Sequence, residues 1–214
     1  MKLMQKNIGL IVLKFNPVFN LKLWILCWVV TACSSSGPGF PEITAGEVIL
    51  AFGDSLTSGV SQTEGADYPR FLGDITSYKV VNAGVSGEVS QEGLNRLASV
   101  LQAHQPKLVI LCHGGNDLLR RNSISGLKQN LLQMISLIRE SGAEVVLLGV
   151  PSPGLFVRTH KVYQEVATEA KVFYIPDLMA DILSEDKLKV DAIHPNAEGN
   201  QKIAQHLAGY FKRE

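Results

Sequence analysis

Two short segments far apart in the chain carry the residue types of nucleophilic catalysis. Ser55 stands in Gly53-Asp54-Ser55-Leu56, directly behind an apolar run, and Asp191-Ala-Ile-His194-Pro195 places a carboxylate three residues before an imidazole. A serine hydroxyl is a weak nucleophile until a base takes its proton, and a histidine base needs a carboxylate to fix its tautomer and stabilise the imidazolium. A three-residue spacing on one turn lets the carboxylate reach one ring nitrogen and leaves the other free. Pro195 suits the first turn of a helix that follows. Taken singly, Gly-Asp-Ser is an ordinary turn and Asp-x-x-His an ordinary helix cap with a surface histidine. Taken together they supply nucleophile, base and orienting acid.

Acyl transfer also needs donors waiting where the carbonyl oxygen becomes negative. Two segments offer them: Asn82-Ala-Gly-Val-Ser-Gly87 and His113-Gly-Gly-Asn116-Asp117. The backbone N–H of Gly87 and the side-chain amide of Asn116 are suitable, and glycine lets main chain approach a substrate with no Cβ in the way. Each also has a plain reading, a tight turn for Gly87 and an Asx cap for Asn116. Asp54 and Asp117 flank these residues and are expected to brace their turns by accepting from neighbouring backbone amides.

The elements that must position these residues alternate between strand and helix. Strands are predicted at 47–52, 79–81, 107–112, 144–150 and 172–175. Helices are predicted around 68–75, 89–103, 127–138, 162–170 and 196–211. In the third helix Leu127, Leu131, Met134, Ile135 and Ile138 share one face. Lys107-Leu-Val-Ile-Leu-Cys112 is a continuous apolar run of the kind buried on both faces of a parallel sheet. Right-handed crossovers then place helices on both sides, giving a three-layer α/β/α sandwich with the functional segments at the carboxyl ends of strands. Residues 151–160 are predicted as a loop able to line the site.

These four segments, in this order and at this spacing, resemble the SGNH (GDSL) hydrolase family and within it the bacterial thioesterase/lysophospholipase/arylesterase subgroup. The resemblance runs from about Val48 to the terminal helix and includes Val80-Val-Asn-Ala-Gly-Val-Ser-Gly87 and Gly114-Gly-Asn-Asp117. It implies a flavodoxin-like five-stranded parallel sheet of order 2-1-3-4-5. It also implies Ser55 as nucleophile, His194 as base, Asp191 as its orienting acid, and Ser55 N–H, Gly87 and Asn116 as the oxyanion hole. The activity implied is serine esterase, on aryl esters, short or medium acyl esters, lysophospholipids or acyl thioesters, with no cofactor. The same family contains carbohydrate O-acetyl esterases, which need only a smaller acyl pocket. A tethered binding lipoprotein on an inactive hydrolase fold is the non-enzymatic alternative. The α/β-hydrolase elbow Gly-x-Ser-x-Gly is excluded, because Thr57 stands two residues after Ser55.

The N-terminal segment reads separately. Lys2, Lys6, Lys14 and Lys22 precede Cys33 with no acidic residue among them, and an uncharged run of eleven residues, Leu23 to Cys33, follows. A bilayer-spanning helix needs about 20 apolar residues, so the run suits a signal-peptide core. Val30-Thr-Ala-Cys33 resembles the lipobox of bacterial lipoproteins, in which the cysteine is acylated. The expected organisation is a signal peptide at 1–32, a lipidated Cys33 with a flexible tether at 33–46, and the hydrolase domain at 47–214. Translation starting later, at Met4 for example, is compatible with it. The expected location is the cell envelope, anchored to a membrane and facing the periplasm or exterior.

The chain beyond Cys33 is mildly acidic, with no Lys/Arg-dense stretch, which argues against nucleic acid as a partner. The three cysteines make no disulfide framework, and Cys112 is expected as a buried thiol. His104, His160 and His206 lack metal-ligand spacing and read as solvated or capping residues, so no metal is expected. His113 is expected to pack beneath the site, and Arg120 and Arg121 to be a solvated pair. Leu118, Leu119, Leu155 and Phe156 are candidates for an acyl groove or for core.

Overall fold

The computed structural model describes residues 38–60, 65–154 and 157–211. Along the chain run β1 (Val48–Gly53), α1 (Ser55–Ser58), α2 (Tyr68–Thr76), β2 (Lys79–Gly84), α3 (Ser90–His104), β3 (Leu108–Cys112), α4 (Gly115–Leu119) and α5 (Ile124–Glu140). Then follow β4 (Glu144–Leu148), β5 (Pro151–Ser152), β6 (Arg158–Thr159), α6 (Val162–Ala170), β7 (Phe173–Ile175), α7 (Leu178–Ser184), a 3₁₀ turn (Asp186–Leu188) and α8 (Ala197–Ala208).

Five strands pair in parallel in the order β2-β1-β3-β4-β7, the arrangement expected. Central β1 and β3 are apolar throughout and almost wholly buried, from Ile49 to Phe52 and from Leu108 to Cys112. Each side chain of that size contributes about 1.5–3 kcal/mol when taken fully out of water, which is why these runs lie between two helical layers. Helices α2 and α8 pack together in one layer, and α3, α5 and α6 in the other.

Local signals fix the helix ends. Asp67 accepts from Arg70 N at 3.0 Å to start α2, with Pro69 in its first turn. Ser123 caps α5 by accepting from Gly126 N at 3.2 Å. Gly142, at φ +87°, ends the connection to β4, while Arg139 donates to Ala170 O and Lys171 O at the end of α6.

Several short elements depart from the predicted set. The short helices α1 and α4 are single turns held by tertiary hydrogen bonds rather than by a periodic apolar face. The 151–160 loop closes on itself as the small antiparallel pair β5–β6. Helix α7 buries Leu178, Met179, Ala180, Ile182 and Leu183, so no polar face marks it in the sequence. Pro195 precedes the cap residue Asn196 of α8 and so lies before its first turn, bridged to Lys189.

The signal peptide and Cys33 lie outside the described residues. The expected tether to residue 46 overreaches: Phe40 stacks on Tyr210 and meets Phe173 and Phe211 edge-on, with centroids 5.0–5.2 Å apart. Tyr78 Oη donates to Ile43 O at 3.0 Å. Aromatic burial therefore makes the chain from Phe40 onward part of the domain.

Candidate active site

The carboxyl ends of β1, β2 and β3 deliver the predicted residues to one edge of the sheet. Ser55 opens α1 immediately behind β1, and Asp54 caps that turn by accepting from Leu56 N at 3.1 Å. Gly53 has to be glycine here, since a Cβ would run into the Cys112 carbonyl and Thr57 Oγ1. The segment between the 3₁₀ turn and α8 brings His194 across, so that its Nε2 lies 2.9 Å from Ser55 Oγ. His194 Nδ1 is 2.8 Å from Asp191 Oδ2. Asp191 Oδ1 accepts from the backbone N–H groups of Ile193 and His194, both at 2.8 Å, which shapes the turn and aims the ring.

Desolvation raises the Asp191 carboxyl, but the His194 ring and these backbone donors outweigh it and hold the group below its ordinary value. Asp191 is thus an anion at neutral pH, an acceptor that keeps the Nδ1 proton in place. The Nε2 lone pair then faces the serine hydroxyl, the arrangement a general base requires.

Asn116, in α4, also reaches this edge. One hydrogen of its amide is donated to Glu88 O at 3.0 Å, and the group carries a second. Gly87, at φ +81°, makes the turn between β2 and α3, and Arg120 Nη2 donates to its carbonyl at 2.8 Å. Ser58 Oγ and Ser86 Oγ lie 2.8 Å apart, tying this turn to α1.

Asp54 does more than brace its own turn. Its second oxygen accepts from Gly115 N at 3.0 Å, joining the Ser55 turn to the Asn116 turn. It is 1% exposed, and burial pushes its carboxyl up against the opposing pull of His113 and the two amides. Asp117 differs from expectation. It accepts from Ser90 N and Ser90 Oγ, both at 2.7 Å, and so caps α3 instead of bracing its own turn.

A cavity of about 300 Å³ opens beside these groups. Ser55, Asn116 and His194 line it together with Leu56, Leu119, Val150, Val157, Leu183 and Ile193. Of the candidate groove residues, Leu119 is a wall and Leu118 is core, while Leu155 and Phe156 lie outside the described residues. Pro151, Ser152, Pro153 and Gly154 confirm that the 151–160 segment lines the site. Leu183 was missed because its helix was.

His113 is fully buried beneath the site, as expected, with Nε2 3.0 Å from Glu88 Oε2. Glu88 and its partner Arg96 have no place in the sequence reading, because eight residues across a helix start match no motif. Desolvation would raise the Glu88 carboxyl, yet His113 and Arg96 bring it down to about 2. His160 caps α6, its Nδ1 accepting from Val162 N at 3.1 Å. Cys112 is buried and desolvation pushes its thiol well up. Among the described residues no group of three His, Cys, Asp or Glu is placed to hold a metal ion.

Known proteins share this arrangement of sequence and fold. The chain is 32% identical over 204 residues to "Thioesterase 1/protease 1/lysophospholipase L1" of Escherichia coli (strain K12), covering 92% of this chain and 94% of that protein. It is 30% identical over 175 residues to an arylesterase of Vibrio mimicus, covering 77% and 88%. The crystal structure of TesA superposes with a TM-score of 0.71 at 28% identity, covering 77% of this chain and 97% of that one. The psychrotrophic esterase EstA from Pseudoalteromonas shares the fold with a TM-score of 0.70 at 22% identity, covering 77% and 96%. The model of the GDSL-like Lipase/Acylhydrolase family matches residues 51–202, and with these relatives it places the chain in that family, as a serine esterase of SGNH type.

Proposed function

We propose that Ser55 attacks the carbonyl carbon of a carboxylic ester while His194 takes its proton. The carbonyl oxygen becomes an anion held by the N–H groups of Ser55 and Gly87 and by the Asn116 amide. His194, oriented by Asp191, returns the proton to the leaving alcohol as the C–O bond breaks, leaving an acyl group on Ser55. Water then attacks the acyl carbon with His194 again as base, and the acid departs. The observation that carries this reading is the unbroken chain Ser55–His194–Asp191, at 2.9 and 2.8 Å, on the wall of the cavity.

The substrates proposed are aryl esters, short and medium acyl esters and lysophospholipids, with acyl thioesters as a related class. The cavity volume of about 300 Å³ lies at the lower end of the ~300–1,000 Å³ of small-molecule sites, and its walls are mostly apolar. Relatives named arylesterase and thioesterase/lysophospholipase support the same range. An acyl-length series of p-nitrophenyl esters tests it. Butyrate to octanoate is expected to exceed both acetate and palmitate in kcat/KM by about tenfold, the discrimination available from a few methylenes in an apolar pocket. Hydrolysis confined to acetate would instead favour a carbohydrate O-acetyl esterase.

We further propose that residues 1–32 are a signal peptide and that Cys33 carries lipid, anchoring the enzyme in the cell envelope and facing the periplasm or exterior. The basic segment, the short apolar run and Val30-Thr-Ala-Cys33 support this. In cells fed a labelled fatty acid, Cys33→Ala is expected to lose the label and accumulate at precursor size. Labelling that survives the substitution would refute the anchor.

A further inference from the structure

Asn116 and Gly87, the two oxyanion donors assigned outside the Ser55 turn, are both tied to Glu88. Asn116 Nδ2 donates to the Glu88 carbonyl at 3.0 Å, and Gly87 is its chain neighbour. The Glu88 side chain folds inward and is 6% exposed. Arg96 grips it with Nε on one oxygen and Nη2 on the other, both at 2.7 Å, and His113 Nε2–H donates from 3.0 Å. An ionised carboxylate only accepts, so the His113 proton on Nε2 is fixed by its partner.

The fork that grips Glu88 is itself immobilised. Arg96 Nη2 also donates to Ala83 O at 2.9 Å and Gly53 O at 3.3 Å, in the last two residues of β2 and at the last residue of β1. Its guanidinium carbon stands 4.1 Å from the centre of the Phe52 ring. His113 follows directly on the end of β3. Three strand ends therefore converge on one carboxylate. The packing leaves no slack: a Cβ on Gly93 would collide with the His113 ring and come within 3.2 Å of Glu88 Oε2.

We propose that Glu88, clamped by Arg96 and His113, is a positioning residue that fixes the Gly87 N–H and the Asn116 amide relative to Ser55. It acts on turnover through those donors and does not touch substrate. Its bidentate pair with Arg96 sets direction as well as distance, which a hydrophobic contact in its place would not do. Catalysis by donors aimed at a developing charge is sensitive to that geometry, because a displacement of about 1 Å costs on the order of 10²-fold. The proposal rests on the oxyanion assignment made above.

The test is a cycle of Glu88→Gln, Asn116→Ala and the double variant, made in the full chain. Turnover of p-nitrophenyl butyrate is referred to active sites titrated with an alkylphosphonate ester. Asn116→Ala is expected to lower kcat by ~10²–10³, the cost of one oxyanion donor. Glu88→Gln is expected to lower kcat by at least about tenfold with KM held within about threefold, since transition-state contacts weaken and ground-state binding does not. The double variant should fall only a few-fold below Asn116→Ala, well short of the product of the single losses.

Multiplicative losses, or a Glu88→Gln enzyme with full kcat per titrated site and only a lower Tm, would overturn the proposal. Normal turnover in Asn116→Ala would sink the oxyanion assignment and the proposal with it. Normal turnover in Glu88→Gln beside a crippled Asn116→Ala would sink the proposal alone. Arg96→Lys keeps the charge and removes the fork, so it carries the same test if Glu88→Gln does not fold.

Discussion

Ser55→Ala is expected to lower kcat for p-nitrophenyl butyrate by about 10⁴–10⁶, as removal of the nucleophile does where nucleophile and base act as a unit. The Ser55 hydroxyl faces His194 Nε2 at 2.9 Å on the cavity wall, so the substitution removes one hydrogen bond and leaves the packed core untouched. Unfolding by urea should therefore shift little. His194→Ala should lose a comparable factor, and the double variant hardly more than either single one, because a base without a nucleophile has no proton to take. A Ser55→Ala enzyme within tenfold of wild type would refute the assignment.

Asp191→Asn is expected to lower kcat by up to about 10⁴, with KM within a few-fold. The amide oxygen can still accept the backbone N–H groups that Asp191 Oδ1 now accepts, so the turn survives. Its NH₂ would then face His194 Nδ1, where the carboxylate now accepts at 2.8 Å. The ring answers by moving its proton to Nε2, which turns the lone pair away from Ser55 and leaves the hydroxyl facing a donor. Asp191 is half exposed, so water can partly replace it and the loss is expected to stop short of that for Ser55. Stopped-flow measurement of the acylation step on a chromogenic ester separates the two effects. Acylation at the wild-type rate would show that Asp191 does not set the tautomer.

The chemistry was legible from the sequence wherever a side chain works through near neighbours. Asp191 and His194 sit three residues apart on one turn, and the Gly53-Asp54-Ser55 turn follows a strand that its apolar run already marks. The parallel sheet was legible for the same reason, because β1 and β3 are too apolar to face water on either side. What stayed hidden depends on closure in three dimensions. Asp54 reaches Gly115 across 61 positions, and Asp117 reaches Ser90 across 27. The grip on Glu88 joins residues 8 and 25 positions away. Helix α7, apolar on nearly every side, gave no periodic signal, and with it Leu183 and part of the cavity wall went unseen. The tether was misjudged at its far end because Gly and Pro near Phe40 dominate the local composition, while the partners that bury Phe40 lie more than 130 residues on.

The aromatic seat of Phe40 also fixes where the described chain joins the sheet. Phe40 meets Phe173, the first residue of β7, and Phe211 in turn meets Tyr78, one residue before β2. The chain thus enters at the edge where the strands begin, whereas Ser55 lies where they end, roughly 20 Å away along strands of about six residues. Phe40 and the aromatic cluster around it are thus fastened at the far end of the sheet, so the start of the described chain stands clear of the mouth of the cavity.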